Sequence, residues 1–273
     1  MNRAARPLLY AALVLCALLT LLPFAWGVSG SLRSLDEIRS DPGALFPHHL
    51  TFGNFTRLFE TQGFGRFLVN SVVVALIVVA GNILAASAAG YALAKLDFAG
   101  RQLAFGAVMA AMMVPFTAVF VTQFVITVDL GLADTLTGIA LPGAALPLSV
   151  FIVRQYALSI PDELLEAARI DGAGEFRIFL RIFLPLAGPA VATVTIMSFL
   201  TSWNNFIWPL VVAQSMSTYT LPVGLAATSQ AAAHVTDYGL LLAGAIVVML
   251  PVLVLFLFLQ RYFVQGIAGT GLR

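Results

Sequence analysis

This chain of 273 residues contains a series of long stretches without Asp, Glu, Lys or Arg. A helix that crosses ~30 Å of hydrocarbon needs roughly 20 mostly apolar residues, and each stretch can supply one. The chain is 60% hydrophobic and 10% charged, which argues against a soluble globular protein. The uncharged stretches are 7–32, 67–94, 102–128, 135–153, 182–236 and 238–260.

These stretches predict an all-α membrane protein, with six transmembrane helices in a single domain over residues 1–273. The second half of 182–236 is polar, so we expect one helix there and then a loop at 211–238. The first helix could instead be a cleaved signal peptide, but its apolar run of about twenty residues favours an uncleaved anchor. The predicted helices lie near 8–29, 67–93, 103–126, 138–157, 187–210 and 239–260.

The basic residues indicate how the chain is oriented. In a six-helix topology, ten of the 14 lysine and arginine side chains fall on the side of the two termini. Because cytoplasmic loops are enriched in these residues, we expect both termini in the cytoplasm of an inner-membrane protein. The net charge of +1 gives no reason to expect a nucleic-acid partner. His48 and His49 lack further nearby ligands, so no metal site is predicted.

The segment between predicted helices four and five, 154–186, contains two amphipathic patterns joined at Gly172. Ser159 and Asp162 have the spacing of a helix capping box. The acidic residues of the first pattern oppose a position on anionic lipid, and the mixed charges favour a docking site for a soluble partner. One face of the first helix would hold Leu164, Leu165 and Ala168.

This segment resembles the EAA signature of permease subunits of ATP-binding-cassette (ABC) importers. The matching residues are Glu166, Ala167, Ala168, Asp171, Gly172, Ile182, Leu184 and Pro185. Further segments agree, and together they resemble carbohydrate-uptake permeases of the maltose G-subunit type over essentially the whole chain. These further segments are 70–71, 89–94, 203–210, 219–225 and 260–266.

The resemblance implies that the matching residues couple the chain to an ATPase through residues 159–185, which we call the coupling loop. Glu166 would form an ion pair with an arginine of that ATPase, and Gly172 would allow a sharp bend. The implied partners are a second permease subunit, two ATP-binding-cassette ATPase subunits, an extracytoplasmic substrate-binding protein and membrane lipid. No cofactor is implied in this chain, since ATP and magnesium would bind the ATPase subunits.

The energy source can also be considered from the residues themselves. A P-loop needs a lysine after a glycine-rich turn, and the single lysine, Lys95, stands in Ala-Lys-Leu. We therefore predict a transport subunit that is not itself an enzyme. The alternative is an ion-coupled secondary carrier, although such carriers usually place ionisable groups within their spans. A membrane-embedded enzyme lacks support, because the spans hold no cluster of Asp, Glu, His or Cys.

Polar side chains within the predicted spans are the candidates for a translocation pathway. A sugar needs hydrogen-bond partners together with apolar or aromatic faces. Hydrogen bonding between helices is the alternative role for such residues. The predicted loop 211–238 would face the binding protein, as in similar permeases. The pathway candidates are Asn82, Gln123, Asn204 and Asn205.

Overall fold

The computed structural model describes residues 5–231 and 237–268, with side chains described for 9–228 and 237–258. All regular secondary structure within these ranges is helical. The first helices are α1 Ala5–Ser31, α2 Leu35–Ser40, α3 Gly53–Thr61, α4 Phe64–Lys95, α5 Arg101–Met113, α6 Phe116–Asp129, α7 Leu136–Ala140 and α8 Pro147–Ala157. The remaining α-helices are α9 Asp162–Ile170, α10 Glu175–Ile178, α11 Leu184–Leu186, α12 Gly188–Trp203, α13 Ile207–Val212, α14 Leu221–Ala231 and α15 Tyr238–Ala268.

Three of the helices are long and apolar enough to cross a membrane unaided. They run over Leu9–Ser31, Phe64–Lys95 and Tyr238–Phe258. Three further pairs of helices pass the same test together but are bent at a short break, which raises the number of possible spans to six. The chain is therefore all-helical in its described part, with three to six candidate spans.

In two of the bent pairs, a proline stands where the second helix begins. The sequence predicts one helix near 103–126, whereas α5 and α6 meet at 100° around Val114 and Pro115. Val114 is extended, with ψ of 116°, as expected for a residue before proline. The region predicted as a helix near 138–157 is also divided: α7 continues as a 3-10 turn at Leu141–Gly143, and α8 starts at Pro147 with a bend of 43°.

The region predicted as one helix near 187–210 is divided in two places. The bend of 76° before α12 falls at Ala187 and Gly188, and Pro189 lies in the first turn of α12. A second break separates α12 from α13 at residues 204–206. Much of the predicted loop 211–238 is helix α14, and its residues 232–236 lie outside the described ranges. The two terminal segments, 1–4 and 269–273, lie outside them as well.

The sequence predicts a single domain over residues 1–273. In the structure, the described residues form two compact units. The first combines residues within 1–67 with 221–253. It is organised around Arg33, which is buried and donates hydrogen bonds to the carbonyls of Ala44 and Glu37 and to the Glu37 carboxylate. Asn54 donates to the carbonyls of Ser31 and Arg33. These contacts order the segment after α1.

The second unit combines residues within 68–220 with 254–273, and it contains the coupling loop and the pathway candidates. One of its cores joins α4, α8, α12 and the coupling loop. Gly90 permits close packing there, because a Cβ at this position would lie 2.7 Å from Val153 Cγ1. A separate core, which includes Val78, Ile139 and Trp208, packs α4 against α7 and α13. Helix α4 thus contributes to both cores.

Candidate functional site: the coupling loop and a cavity with amide residues

Helix α9 carries the EAA residues and ends in a defined turn. Gly172 adopts a left-handed conformation, with φ of +79°. The amide of Ala173 donates to the Ala168 carbonyl at 2.9 Å, and the amide of Gly172 donates to the Arg169 carbonyl at 3.0 Å. This pair of bonds is the Schellman arrangement that closes many helices. It reverses the chain at the bend that the sequence predicts at Gly172.

We expect Gly172→Ala to destabilise the protein by about 1 to 2 kcal/mol, the cost of a left-handed conformation in a residue with a Cβ. The space around a Cβ at Gly172 is open, so the loss comes from the backbone alone. The free energy of unfolding in detergent would measure it. Gly174→Ala is the matched control, because Gly174 has φ of −70° and equally open surroundings. Equal effects of the two substitutions would contradict this explanation.

The two faces of α9 differ sharply in burial. Leu165 and Ala168 are buried against the rest of the unit, whereas Glu166 and Ala167 are exposed. Leu164 does not share the buried face as the sequence suggests, because half of its surface is exposed. The helical step of 100° per residue turns Leu164 away from Leu165, although it lies only about 40° from Ala168, and this leaves Leu164 at the edge of the buried face. Of the two alanines of the signature, Ala167 is therefore exposed and Ala168 is buried.

The predicted capping box does not form at the start of α9. Pro161 occupies the N-cap position and offers no side-chain hydrogen bond. The Ser159 hydroxyl donates instead to the Tyr156 carbonyl. Asp162 is free to engage another part of the chain, and it does so through Lys95.

Lys95 joins the end of α4 to the start of the coupling loop. Its Nζ donates to the Ile160 carbonyl at 2.6 Å and to Asp162 Oδ1 at 2.5 Å. The Lys95 side chain is 3% exposed and that of Asp162 is 72% exposed. The hydrogen bond and charge of Lys95 lower the pKa of the Asp162 carboxyl. A nearly buried ammonium group thus has two oxygen partners, both of them from the coupling loop.

Glu175 joins α4 to the coupling loop a second time, after the bend. One carboxylate oxygen accepts a hydrogen bond from the Tyr91 hydroxyl, and the other accepts one from Arg169 Nε, each at 2.7 Å. The Tyr91 ring packs against the rings of Phe179 and Phe183. The two halves of the coupling loop and α4 therefore meet at one carboxylate.

Asp171 is the C-cap residue of α9, and the other remaining signature residues lie after the bend. The helix there includes a π-helical turn at Phe179–Phe183 and continues through α11. Ile182 and Leu184 are half-buried, and Pro185 and Asp171 are exposed.

A cavity of about 720 Å³ lies between α4, α6, α7, α12 and α13. Three of the predicted pathway residues line it: Gln123, Asn204 and Asn205. The buried Gln123 Oε1 accepts no hydrogen bond from any described residue. Asn204 donates to the Leu200 carbonyl within its own helix. The cavity is otherwise largely apolar and includes Phe206 and Trp208, so amide groups stand beside aromatic rings.

Asn82, the fourth predicted residue, does not line the cavity. It is fully buried, and its Nδ2 donates to the Val78 carbonyl at 2.9 Å and to the Gly143 carbonyl at 2.6 Å. Its Oδ1 accepts from the Leu146 amide at 2.9 Å. Gly143 and Leu146 both line the cavity. Asn82 therefore holds the cavity wall in place and satisfies the backbone at the break between α7 and α8.

Asp134 orders the 213–220 segment, which follows α13. Its Oδ1 accepts hydrogen bonds from the amides of Gln214 and Ser215 and from the Thr218 hydroxyl. The Asp134 backbone has φ of +54°, the one positive φ outside glycine among the described residues. The hydroxyl groups of Thr218 and Ser215 make the largest contribution to lowering the pKa of Asp134, to about 2.

This pKa predicts how the 213–220 segment responds to acid. An unfolded aspartate titrates near 3.9, so a depressed native pKa stabilises the segment fully above about pH 4. The contribution is lost as the pH falls through 2. The amides of Gln214 and Ser215 should exchange their hydrogens more slowly in the wild-type protein than in an Asp134→Ala variant. We expect this difference to become smaller as the pH falls from about 4 to 2. Asp129→Ala, at an exposed neighbouring acid, should leave the protection intact; a matching loss there would contradict the assignment.

The sequence does not predict several hydrogen bonds of the coupling loop and of the 213–220 segment. Tyr91, Lys95, Arg169 and Glu175 fasten the coupling loop, and Asp134 orders the 213–220 segment. Lys95 carried a signal, since it is the single lysine of the chain and closes an apolar helix. The other four lie near the ends of helices or in loops, and their neighbours in the sequence do not indicate which residues they bind.

Comparison with known proteins identifies relatives over most of the chain. The family model described as binding-protein-dependent transport system inner membrane component matches residues 81–269. The arabinooligosaccharides transport system permease protein AraQ of Halalkalibacterium halodurans is 42% identical over 228 residues, covering 83% of this chain and 81% of AraQ. AraQ of Bacillus subtilis is 38% identical over 263 residues, covering 95% and 93%.

A solved structure is also similar. It is the crystal structure of a bacterial ABC transporter involved in the import of the acidic polysaccharide alginate, and the matching chain has a TM-score of 0.86 at 25% identity. The match covers 96% of this chain and 99% of that one. These findings confirm the resemblance to ABC importer permeases that the EAA motif predicts. The chain belongs to the family of binding-protein-dependent transport system inner membrane components.

Proposed function

We propose that this chain forms one half of the translocation pathway of an ATP-driven importer for a sugar or sugar derivative. The observation that carries the proposal is the coupling loop with its EAA residues. Glu166 and Ala167 are exposed on a helix whose other face is anchored in a core, and Ile170 and Phe176 are 86% and 75% exposed beside them. A surface that combines exposed large apolar groups with charges is typical of protein docking.

The ATPase subunits would dock on this surface. Two of them bind ATP with magnesium and close around the bound ATP, and their closure moves residues 159–185. Glu166 pairs with an arginine of the ATPase, and Ala167 lets the two backbones approach. The chain supplies no ATP site of its own, since its sequence has no P-loop.

The arrangement in the membrane follows from the same proposal. The bent pairs α5–α6 and α7–α8 each serve as one span, and α12 with α13 forms the fifth. This gives six spans with both termini and the coupling loop in the cytoplasm. A second, non-identical permease completes the pathway. The 213–220 segment then lies on the outer face, where an extracytoplasmic binding protein delivers the substrate.

Support for a sugar comes from the relatives and from the cavity. The AraQ relatives are named as arabinooligosaccharide permeases, and the solved transporter imports alginate. The cavity beside Gln123, Asn204 and Asn205 offers amide groups next to aromatic rings, the combination that sugar recognition needs. We propose these three residues as the pathway-lining set of this chain, with Asn82 supporting them.

Purification from the native membrane in mild detergent tests the proposal. We expect one copy of this chain with one second permease and two copies of an ATPase, and ATP hydrolysis that rises when a sugar-loaded binding protein is added. Recovery of the chain alone, or as a homo-oligomer active without ATP, would contradict the proposal and favour an ion-coupled carrier.

A further inference from the structure

Helix α4 differs from the other candidate spans of its unit because it is unbroken. Within residues 68–220, every other helix combination that could span a membrane is bent, by 43° to 100°. Asn70 and Lys95 are separated along α4 by about 37 Å at a rise of 1.5 Å per residue. The helix therefore extends over roughly the full thickness of the hydrocarbon core without a hinge.

One end of α4 is fastened to the coupling loop at two places. Lys95 binds Ile160 just before α9 and Asp162 at its first residue, and Tyr91 binds Glu175 after α9. Helix α9 therefore lies between two attachment points on the same helix. A displacement of α9 has to move this end of α4 or break these hydrogen bonds.

The middle of α4 binds the cavity wall, and its other end binds the 213–220 segment. Asn82 binds the cavity wall at Gly143 and Leu146. Asn70 Nδ2 donates to the carbonyls of Ser217 and Tyr219, both at 2.9 Å, in the 213–220 segment. Side-chain amides of a single helix thus hold the cavity wall and the segment beyond it.

We propose that α4 transmits movement of the coupling loop to the cavity wall and to the 213–220 segment, and that Lys95, Tyr91 and Asn70 are positioning residues for this transmission. The inference rests on the proposed function, in which the coupling loop meets an ATPase and the 213–220 segment meets a binding protein.

The covalent route through the chain is less suited to this role. After the coupling loop the chain turns by 76° before α12, and α12 itself ends at the break before α13. Breaks of this kind absorb changes of angle as hinges do. An unbroken helix moves as one body, because its backbone hydrogen bonds resist bending.

A double-mutant cycle on the complete transporter in lipid nanodiscs tests the proposal. The variants are Lys95→Met, Asn70→Ala and the pair, and the readout is the stimulation of ATP hydrolysis by substrate-loaded binding protein. We expect each single variant to lower the stimulation by roughly fivefold or more and the pair to lower it little further. Sites more than about 10 Å apart normally act additively, so non-additivity across about 37 Å indicates transmission along α4.

Two further variants exclude a merely structural effect. Tyr91→Phe removes the hydroxyl bonded to Glu175 and keeps the ring against Phe179 and Phe183, and it should also lower stimulation. Arg101→Met removes a nearby cation that pairs with Asp97 outside the coupling loop, and it should leave stimulation unchanged. Unstimulated ATP hydrolysis and subunit stoichiometry should be the same in all variants.

The outcomes separate the two proposals. A wild-type preparation without an ATPase would contradict the proposed function, and the role of α4 with it. An intact complex in which the Lys95 and Asn70 substitutions act additively, or in which stimulation stays normal, would overturn the role of α4 alone. Equal losses of stimulated and unstimulated hydrolysis would also overturn it, since they indicate damage to assembly.

Discussion

Replacing Glu166 by lysine is expected to reduce transport by roughly tenfold or more while the chain still inserts into the membrane. The side chain is exposed on α9, so the substitution disturbs no buried contact. If Glu166 faces an arginine of the ATPase, lysine brings two like charges together, which costs several kcal/mol at an interface. About 1.4 kcal/mol corresponds to a factor of ten. Substrate uptake and co-purification of the ATPase would measure the effect.

Two controls make this result specific. Glu166→Gln removes the charge without reversing it and should give an intermediate loss. Glu60→Lys makes the same charge reversal at an exposed position of α3, which is not part of the coupling loop, and should leave ATPase docking unchanged. Normal transport by Glu166→Lys would contradict the docking role of the coupling loop.

Replacing Asn82 by leucine is expected to destabilise the protein by roughly 2 kcal/mol. Asn82 makes three hydrogen bonds at a fully buried position, and such bonds within membrane proteins contribute about 0.6 to 1.7 kcal/mol each. The leucine would leave the Gly143 carbonyl and the Leu146 amide without this partner. Thermal unfolding in detergent would show a lower midpoint and a smaller yield of folded protein.

The matched variant is Asn204→Leu. Asn204 lines the cavity, and the hydrogen bond it donates is within its own helix. We expect the unfolding midpoint to change little and sugar uptake to fall, because the cavity loses an amide. If both variants destabilised the protein alike, the distinction between a supporting and a lining asparagine would be wrong.

Local sequence carries the information that places helices in this chain. Uncharged stretches predict where apolar helices lie, because the hydrocarbon core excludes charges regardless of what else the chain does. The bend at Gly172 was predictable for a similar local reason. Many helices end with a residue in the left-handed conformation, and this residue is usually glycine. The exposure of Glu166 needed no long-range information once an amphipathic helix was recognised there.

The breaks were only partly predictable. Pro115 and Pro147 stand where α6 and α8 begin, but a proline within an apolar run is compatible with a gentle kink as well as with a turn of 100°. The break after Trp203, at residues 204–206, contains no proline. Its stability depends on contacts such as the hydrogen bond from Trp208 Nε1 to the Gly138 carbonyl, 70 residues away in sequence.

The uncharged stretches and the EAA motif were sufficient to predict an α-helical membrane protein that resembles ABC importer permeases. Only the packing of distant segments decided that Asn82 supports the cavity while Gln123, Asn204 and Asn205 line it. It also decided that α4 fastens the coupling loop through Lys95, 67 residues from Asp162, and the 213–220 segment through Asn70, 149 residues from Tyr219. The hydropathy of a segment can be read from its own residues. A hydrogen bond between distant residues forms only when their segments pack together, so local sequence does not predict it.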